Sequence, residues 1–290
     1  MDVDTATLTA SRASHDRLRR LATYASVAVA LTLIIAKAYA FLSSNSVGVL
    51  VSLIDSVLDL AASAVIMVGV LYAQRPADRS HRFGHGKAEP LVALVQAGFI
   101  AGSAIAVSIE TLNRIIDPQP VGPTGPAIQI LLLSLALTIL LVSVQSWVAR
   151  KTQSVAIQAD RAHYTGDIIM TLAVIGALYL TEQSGKVGFD TALAAVAVAF
   201  WLWNAWKIGY RAFHMLLDHE LPKDIRQKIA AIVTAHAEAD DLHDLRTRTD
   251  GTTLFIEFHL EMDGDMTIAA AHKVTDALEA DLMTAFPNAE

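Results

Sequence analysis

Long apolar runs fill the first two thirds of the chain. The stretch from Ala127 to Ala149 contains no Asp, Glu, Lys or Arg. A helix crossing ~30 Å of hydrocarbon needs about 20 apolar residues, so this stretch is long enough to span a membrane. Five more runs, about 21–43, 47–73, 90–112, 154–181 and 188–208, have similar length with a few ionisable interruptions. The pattern predicts six membrane-spanning helices within 21–209. A polar segment, 1–20, precedes them with Arg12, Arg17, Arg19 and Arg20, and no cleavable signal peptide is expected.

After Trp206 the pattern changes. Residues 210–290 are charged and His-rich, and contain no apolar run of spanning length. Leu221-Pro222 opens a helix with Ile225, Ile229, Ile232 and Val233 on one face, since proline suits a first helical turn. Leu254, Ile256, Phe258, Leu260 and Met262 then alternate with Glu257, His259 and Glu261, as in a half-buried strand. Asp250-Gly251 is a hairpin signal, which makes 242–248 the partner strand. A second helix at about 267–286 carries Ile268, Ala271, Val274, Leu278 and Leu282. The order α-β-β-α predicts a small cytosolic α+β domain. A two-stranded sheet is marginal alone, so a third strand or a second subunit is expected beside it.

Composition sharpens this picture. Hydrophobic residues make up 53%, charged residues 18%, and mean hydropathy is +0.43, which excludes a disordered chain and disfavours a solvated globule. The absence of Cys removes disulfides and thiolate metal sites. A net charge of −7 argues against nucleic acid as a partner. Basic residues fall on one side of the predicted spans: the N-terminal arginines, Arg75, Arg79, Arg82 and Lys87, then Arg150, Lys151 and Arg161. The other side receives only the Ser43–Ser46 link, Arg114 in the 114–126 loop, and Lys186. The basic side is therefore expected to be cytoplasmic, with both termini inside.

Ionisable groups within spans are costly and point to function. Asp55 and Asp59 in the second span, and His163 and Asp167 in the fifth, are each spaced i, i+4 and so share a helical face. Two such faces packed together converge three carboxylates and one imidazole, a donor set that suits Zn²⁺ or Cd²⁺ better than Mg²⁺. A proton relay without metal would use the same groups. A second cluster, Asp78, His81 and His85, lies in a cytosolic loop, where a solvated basic loop against anionic headgroups is the competing reading. His243, His259 and His272 are scattered over the cytosolic domain, and their spacing does not establish that they meet. No zincin motif, nucleophile elbow or dinucleotide fingerprint occurs, and an enzyme is not expected.

Together these residues resemble the cation diffusion facilitator family, in its bacterial zinc-exporter branch. The matching positions are Asp55 and Asp59; Pro76 and Asp78; Phe83, Gly84, His85, Gly86, Lys87 and Glu89; His163, Tyr164 and Asp167; Leu216 and Asp218; His243 to Arg248; and His259 to Met262. The resemblance implies a homodimer of six-span protomers in a bacterial inner membrane, each with a ferredoxin-like cytosolic domain. It implies efflux of Zn²⁺, with Cd²⁺ or Fe²⁺ as further substrates, by alternating access with protons as the coupling ion. A membrane metal sensor without transport is the alternative. By the same resemblance, Asp55, Asp59, His163 and Asp167 form the transport site, and Asp78, His81 and His85 a loop site. His243, His259 and His272 match ligands of a cytosolic metal site, and Lys87 pairs with Asp218 to join the two domains. Family members continue into a third strand with a His-x-Asp pair, whereas this sequence ends at Pro287-Asn288-Ala289-Glu290. The cytosolic site is therefore expected to bind metal weakly.

Overall fold

The computed structural model describes residues 5–44, 47–116, 125–184 and 189–290. Six long helices come first: α1 (Thr5–Ser44), α2 (Val47–Ala73), α3 (Ala88–Ile116), α4 (Gly125–Thr152), α5 (Val155–Ser184) and α6 (Phe189–Leu216). The small domain follows as α7 (Lys223–Val233), β1 (Asp241–Thr249), β2 (Leu254–Glu261) and α8 (Ile268–Ala285). The links at 43–46 and 114–126, and Lys186, lie wholly or partly outside the described residues.

Local chemistry sets several helix ends. Glu89 sits in the first turn of α3, and Arg150 and Lys151 in the last turn of α4, each matching the helix dipole. Gln153 adopts a left-handed φ of 53°, which ends α4. Ser154 then caps α5, its Oγ accepting from the Ile157 N–H at 3.3 Å.

The first span is part of a longer helix. α1 begins at Thr5 rather than near 21, because its polar first half has partners. Arg19 donates to the Thr152 carbonyl at 3.2 Å, and Arg20 to Gln74 Oε1 at 2.5 Å.

Among the described residues, four helices are long and apolar enough to cross a membrane, through Ala13–Tyr39, Leu53–Ala73, Ala88–Asn113 and Leu132–Thr152. Their large outward side chains, including Ile35, Leu58 and Val68, suit a lipid surround. Small residues let the helices approach closely. Ile100 and Ala104 of α3, Ala162 of α5, and Val198, Trp201 and Ala205 of α6 form one buried cluster. A Cβ at Gly166 would collide with the Trp201 indole, so glycine is required where α5 meets α6.

In the small domain, Ile229 and Val233 of α7 pack on Leu278 and Leu282 of α8. β1 and β2 pair antiparallel as the hairpin reading expects, and His243 stands opposite His259. An irregularity between His243 and Arg246 coincides with Asp244 at φ 53°. The connection is longer than a two-residue turn: Asp250 Oδ1 accepts from the Thr252 and Thr253 N–H groups at 2.8 and 2.7 Å. Among the described residues the sheet has two strands, and residues 288–290 run parallel beside β2 as an isolated bridge at Leu254 and Ala289. The Leu254 N–H donates to Asn288 O at 2.9 Å, and the Glu290 N–H to Leu254 O at 2.8 Å.

Candidate metal centre

α2 and α5 run antiparallel along one seam. Asp59 meets His163, and further along Ser63 meets Asp160 and Tyr164, while Ile66 and Val70 pack on Ala156. At one end of this seam, His163 Nε2 lies 3.0 Å from Asp59 Oδ1 and 3.8 Å from Asp167 Oδ2. One ligand atom from each of Asp59, His163 and Asp167 falls within 4.8 Å of the others. Three of the four expected ligands therefore converge. Asp55 stands outside this group, because four residues of helix advance it about 6 Å along α2. Beside it, buried Lys37 of α1 donates from Nζ to Ser56 Oγ at 2.6 Å.

The loop residues Asp78, His81 and His85 also bring one ligand atom each within 4.8 Å of one another. His81 Nδ1 is 3.4 Å from Asp78 Oδ1, and His85 Nε2 is 3.5 Å from Asp78 Oδ2. The loop builds this geometry itself. Asp78 Oδ1 accepts from the Ser80 and His81 N–H groups at 2.8 and 2.7 Å, an Asx-type turn. Those N–H groups hold the Asp78 carboxyl below its ordinary value. Gly84, at φ 81°, folds the chain back so that its N–H reaches His81 O at 3.0 Å. His85 is buried against the Tyr72 ring, at 4.9 Å between centroids.

The cytosolic histidines are only partly assembled. His243 and His259 face each other across the sheet with ring centroids 5.3 Å apart. His272 lies on α8, with Nδ1 3.7 Å from Asp276 Oδ1. Among the described residues, no three-ligand group includes any of these histidines. Lys87 Nζ does meet Asp218, at 2.9 Å from Oδ1, and Arg248 approaches the same carboxylate at 3.6 Å. Arg248 also lies over the Phe83 and Phe255 rings, at 4.9 and 4.2 Å, which ties the loop to β2.

Two buried carboxylates were not given roles from sequence. Glu89 is fully buried, accepts from Ser154 Oγ at 2.6 Å and lies 3.4 Å from Arg19. Asp160, 1% exposed, sits three residues before His163 on the same face of α5. The available signal was the charge itself: each interrupts, or directly precedes, a predicted span.

Comparison with known proteins gives the family. The family profile for the cation efflux transmembrane domain matches residues 23–217, and that for the cation efflux protein cytoplasmic domain matches 221–290. The cation-efflux pump FieF of Escherichia fergusonii is 40% identical over 277 residues, 96% of this chain and 92% of that protein. FieF of Klebsiella pneumoniae is 39% identical over the same shares. A solved chain from a study of the zinc-transporter candidate CzrB is 38% identical, covering 24% of this chain and 88% of its own, with a TM-score of 0.24. The two profiles and the near full-length identity show that the chain belongs to the cation efflux family, the cation diffusion facilitators, as a FieF-type membrane transporter of cations and not an enzyme.

Proposed function

We propose that the chain exports Zn²⁺, with Cd²⁺ or Fe²⁺ as further substrates, by alternating access as a proton antiporter. It works as a homodimer of six-span protomers in a bacterial inner membrane, with both termini cytoplasmic and α5 and α6 as the remaining spans. Its cytosolic part is a ferredoxin-like domain that pairs with that of a second copy. The observation that carries the reading is the Asp59–His163–Asp167 group on two facing helices. Two carboxylates balance the charge of a divalent ion, and the imidazole favours zinc over magnesium or calcium. Asp55, one turn along α2, joins as the fourth ligand when the cation binds.

The same geometry supports exchange with protons. A proton on His163 Nε2 is held between two carboxylates, and metal binding must displace it because ligands bind deprotonated. Moving a doubly charged ion out against 100 mV, inside negative, costs ~4.6 kcal/mol, and each returning proton offsets ~2.3 kcal/mol. Asp78, His81 and His85 form a second, cytosolic cation site, and Lys87–Asp218 joins the domains. His243 and His259 contribute ligands in the cytosolic domain, together with His272.

The test is Zn²⁺ flux into sealed vesicles under an imposed pH gradient. Asp59→Ala and Asp167→Ala are expected to abolish flux while the protein still folds and dimerises. Wild-type flux from either variant would remove the assignment.

A further inference from the structure

One helical turn from the metal group, towards the Ala73 end of α2 and the Val155 end of α5, lies a second polar cluster. Asp160 is at its centre, and its carboxylate is held by neutral hydrogen-bond donors. Its Oδ2 accepts from Ser26 Oγ of α1 at 2.6 Å and from Gln145 Nε2 of α4 at 2.7 Å. Its Oδ1 accepts from Ser63 Oγ of α2 at 3.3 Å, and Ser63 also meets the Tyr164 hydroxyl at 2.8 Å. Ser63 has one proton. The arrangement that satisfies both contacts has Tyr164 donating to Ser63 and Ser63 donating to Asp160. Ser26, Ser63, Gln145, Asp160 and Tyr164 are all within 1% of full burial.

The placement along the seam gives this cluster its meaning. Asp160, His163, Tyr164 and Asp167 follow i, i+3, i+4, i+7 and form one stripe of α5. Asp59, Ser63, Ile66 and Val70 form the facing stripe of α2. The far end of the seam is apolar, with Ile66 and Val70 against Ala156. Apolar contact is non-directional and tolerates rotation and sliding, whereas hydrogen bonds are directional. The Ser63–Asp160 and Ser63–Tyr164 contacts therefore fix how α2 and α5 are turned towards each other. Asp59 stands one turn from Ser63, and His163 stands between Asp160 and Tyr164. Rotation at the latch displaces the ligands directly.

We propose that Asp160 is a positioning residue for transport: through Ser63 and Tyr164 it holds the ligand-bearing faces of α2 and α5 in register, and so sets which cations the group accepts. This rests on reading Asp59, His163 and Asp167 as the transport site. Zinc takes short bonds and few ligands, while manganese suits a larger set of oxygens. A loosened seam binds zinc less well and rejects manganese less.

Zn²⁺ and Mn²⁺ flux by the full-length protein in sealed vesicles tests this with Asp160→Asn and Ser63→Ala. Asp160→Asn keeps the shape but turns an amide N–H₂ towards groups that themselves donate. Ser63→Ala cuts the tie to α2 and leaves the carboxylate in place. Each is expected to raise the half-saturating Zn²⁺ concentration about tenfold, the low end for groups that orient metal ligands, and to lower the Zn:Mn flux ratio. The proposal fails if both variants keep the wild-type half-saturation and ratio while Asp59→Ala is inactive. It also fails if yield and maximal rate fall equally for both ions with the ratio unchanged, the mark of a merely structural role. If Asp160→Asn does not fold, Ser63→Ala decides alone. Normal flux through Asp59→Ala is a different failure, because it removes the transport site itself.

Discussion

The chain builds two three-ligand groups from the same residue types in opposite ways. Asp59, His163 and Asp167 come from helices whose contacting residues, Asp59 and His163, are 104 positions apart, and the His163 side chain is 9% exposed. Asp78, His81 and His85 come from a single loop turn, and the Asp78 side chain is 53% exposed. The loop group can tighten on an ion by local adjustment. The membrane group cannot change without moving α2 against α5. Binding energy shifts a conformational equilibrium only where it differs between states, so under the proposed function the group assembled across helices is the one to couple cation binding to a change of access.

The largest break in this comparison is expected from His163→Asp. It leaves the membrane group with oxygen donors only, and the preference for Zn²⁺ over Mn²⁺ should fall at least ~tenfold in competition flux assays. An unchanged preference would mean that the imidazole does not select the ion. The matching change in the loop, His85→Ala, should leave maximal Zn²⁺ flux within about twofold of wild type, because a locally built site can be lost without moving the helices. Equilibrium dialysis of the same variant should show one fewer weakly held ion per protomer. Loss of flux as complete as that of Asp59→Ala would place the loop on the obligatory path.

A smaller effect is expected at the domain junction. The Lys87 and Asp218 side chains are 42% and 44% exposed, and pairs of this kind contribute ~0–1 kcal/mol. Lys87→Ala should lower the thermal midpoint only slightly, because Arg248 remains 3.6 Å from the same carboxylate. Lys87→Ala combined with Arg248→Ala should cost more than the sum of the single changes, since each cation covers for the other's loss. Strict additivity in melting experiments would show that the two cations act independently on Asp218.

Much of this was legible in the sequence where one period governs. The apolar runs located the long helices, and alternation at Leu254, Ile256, Phe258 and Leu260 located β2 and its partner. The i, i+4 spacings put Asp55 and Asp59, and His163 and Asp167, on common faces, but spacing fixes a face and not the height at which two helices meet. That is why Asp55 reads as an equal member of the set and lies outside the converged group. Asp160 escaped notice because its partners, Ser26, Ser63 and Gln145, are ordinary polar residues on three other helices. The polar start of α1 reads as a segment separate from the first span because its partners, Thr152 and Gln74, are distant in sequence. His272 shows the same limit: its spacing names no meeting point with His243 and His259, and among the described residues the three form no common group.

The smallest expected effect concerns acid, and it separates the two groups by their surroundings. The Asp78 carboxyl is held below its ordinary value of 3.8, chiefly by the His81 N–H and then by the Ser80 N–H. A carboxyl with a lowered folded value stabilises the loop turn above its unfolded value, and that contribution is lost as pH falls through the folded value. The turn should therefore keep its form from neutral pH down to the ordinary carboxylate range and loosen only below it. Carboxyl carbon NMR of the metal-free protein should place the Asp78 midpoint under 3.8. Asp78→Asn keeps an oxygen that can accept the same two N–H groups, so it should preserve the turn and remove its acid dependence. A midpoint at or above the ordinary value would mean that the two N–H bonds do not persist in solution. The loop would then be a flexible basic segment, and the contrast with the helix-built group would be one of order as well as location.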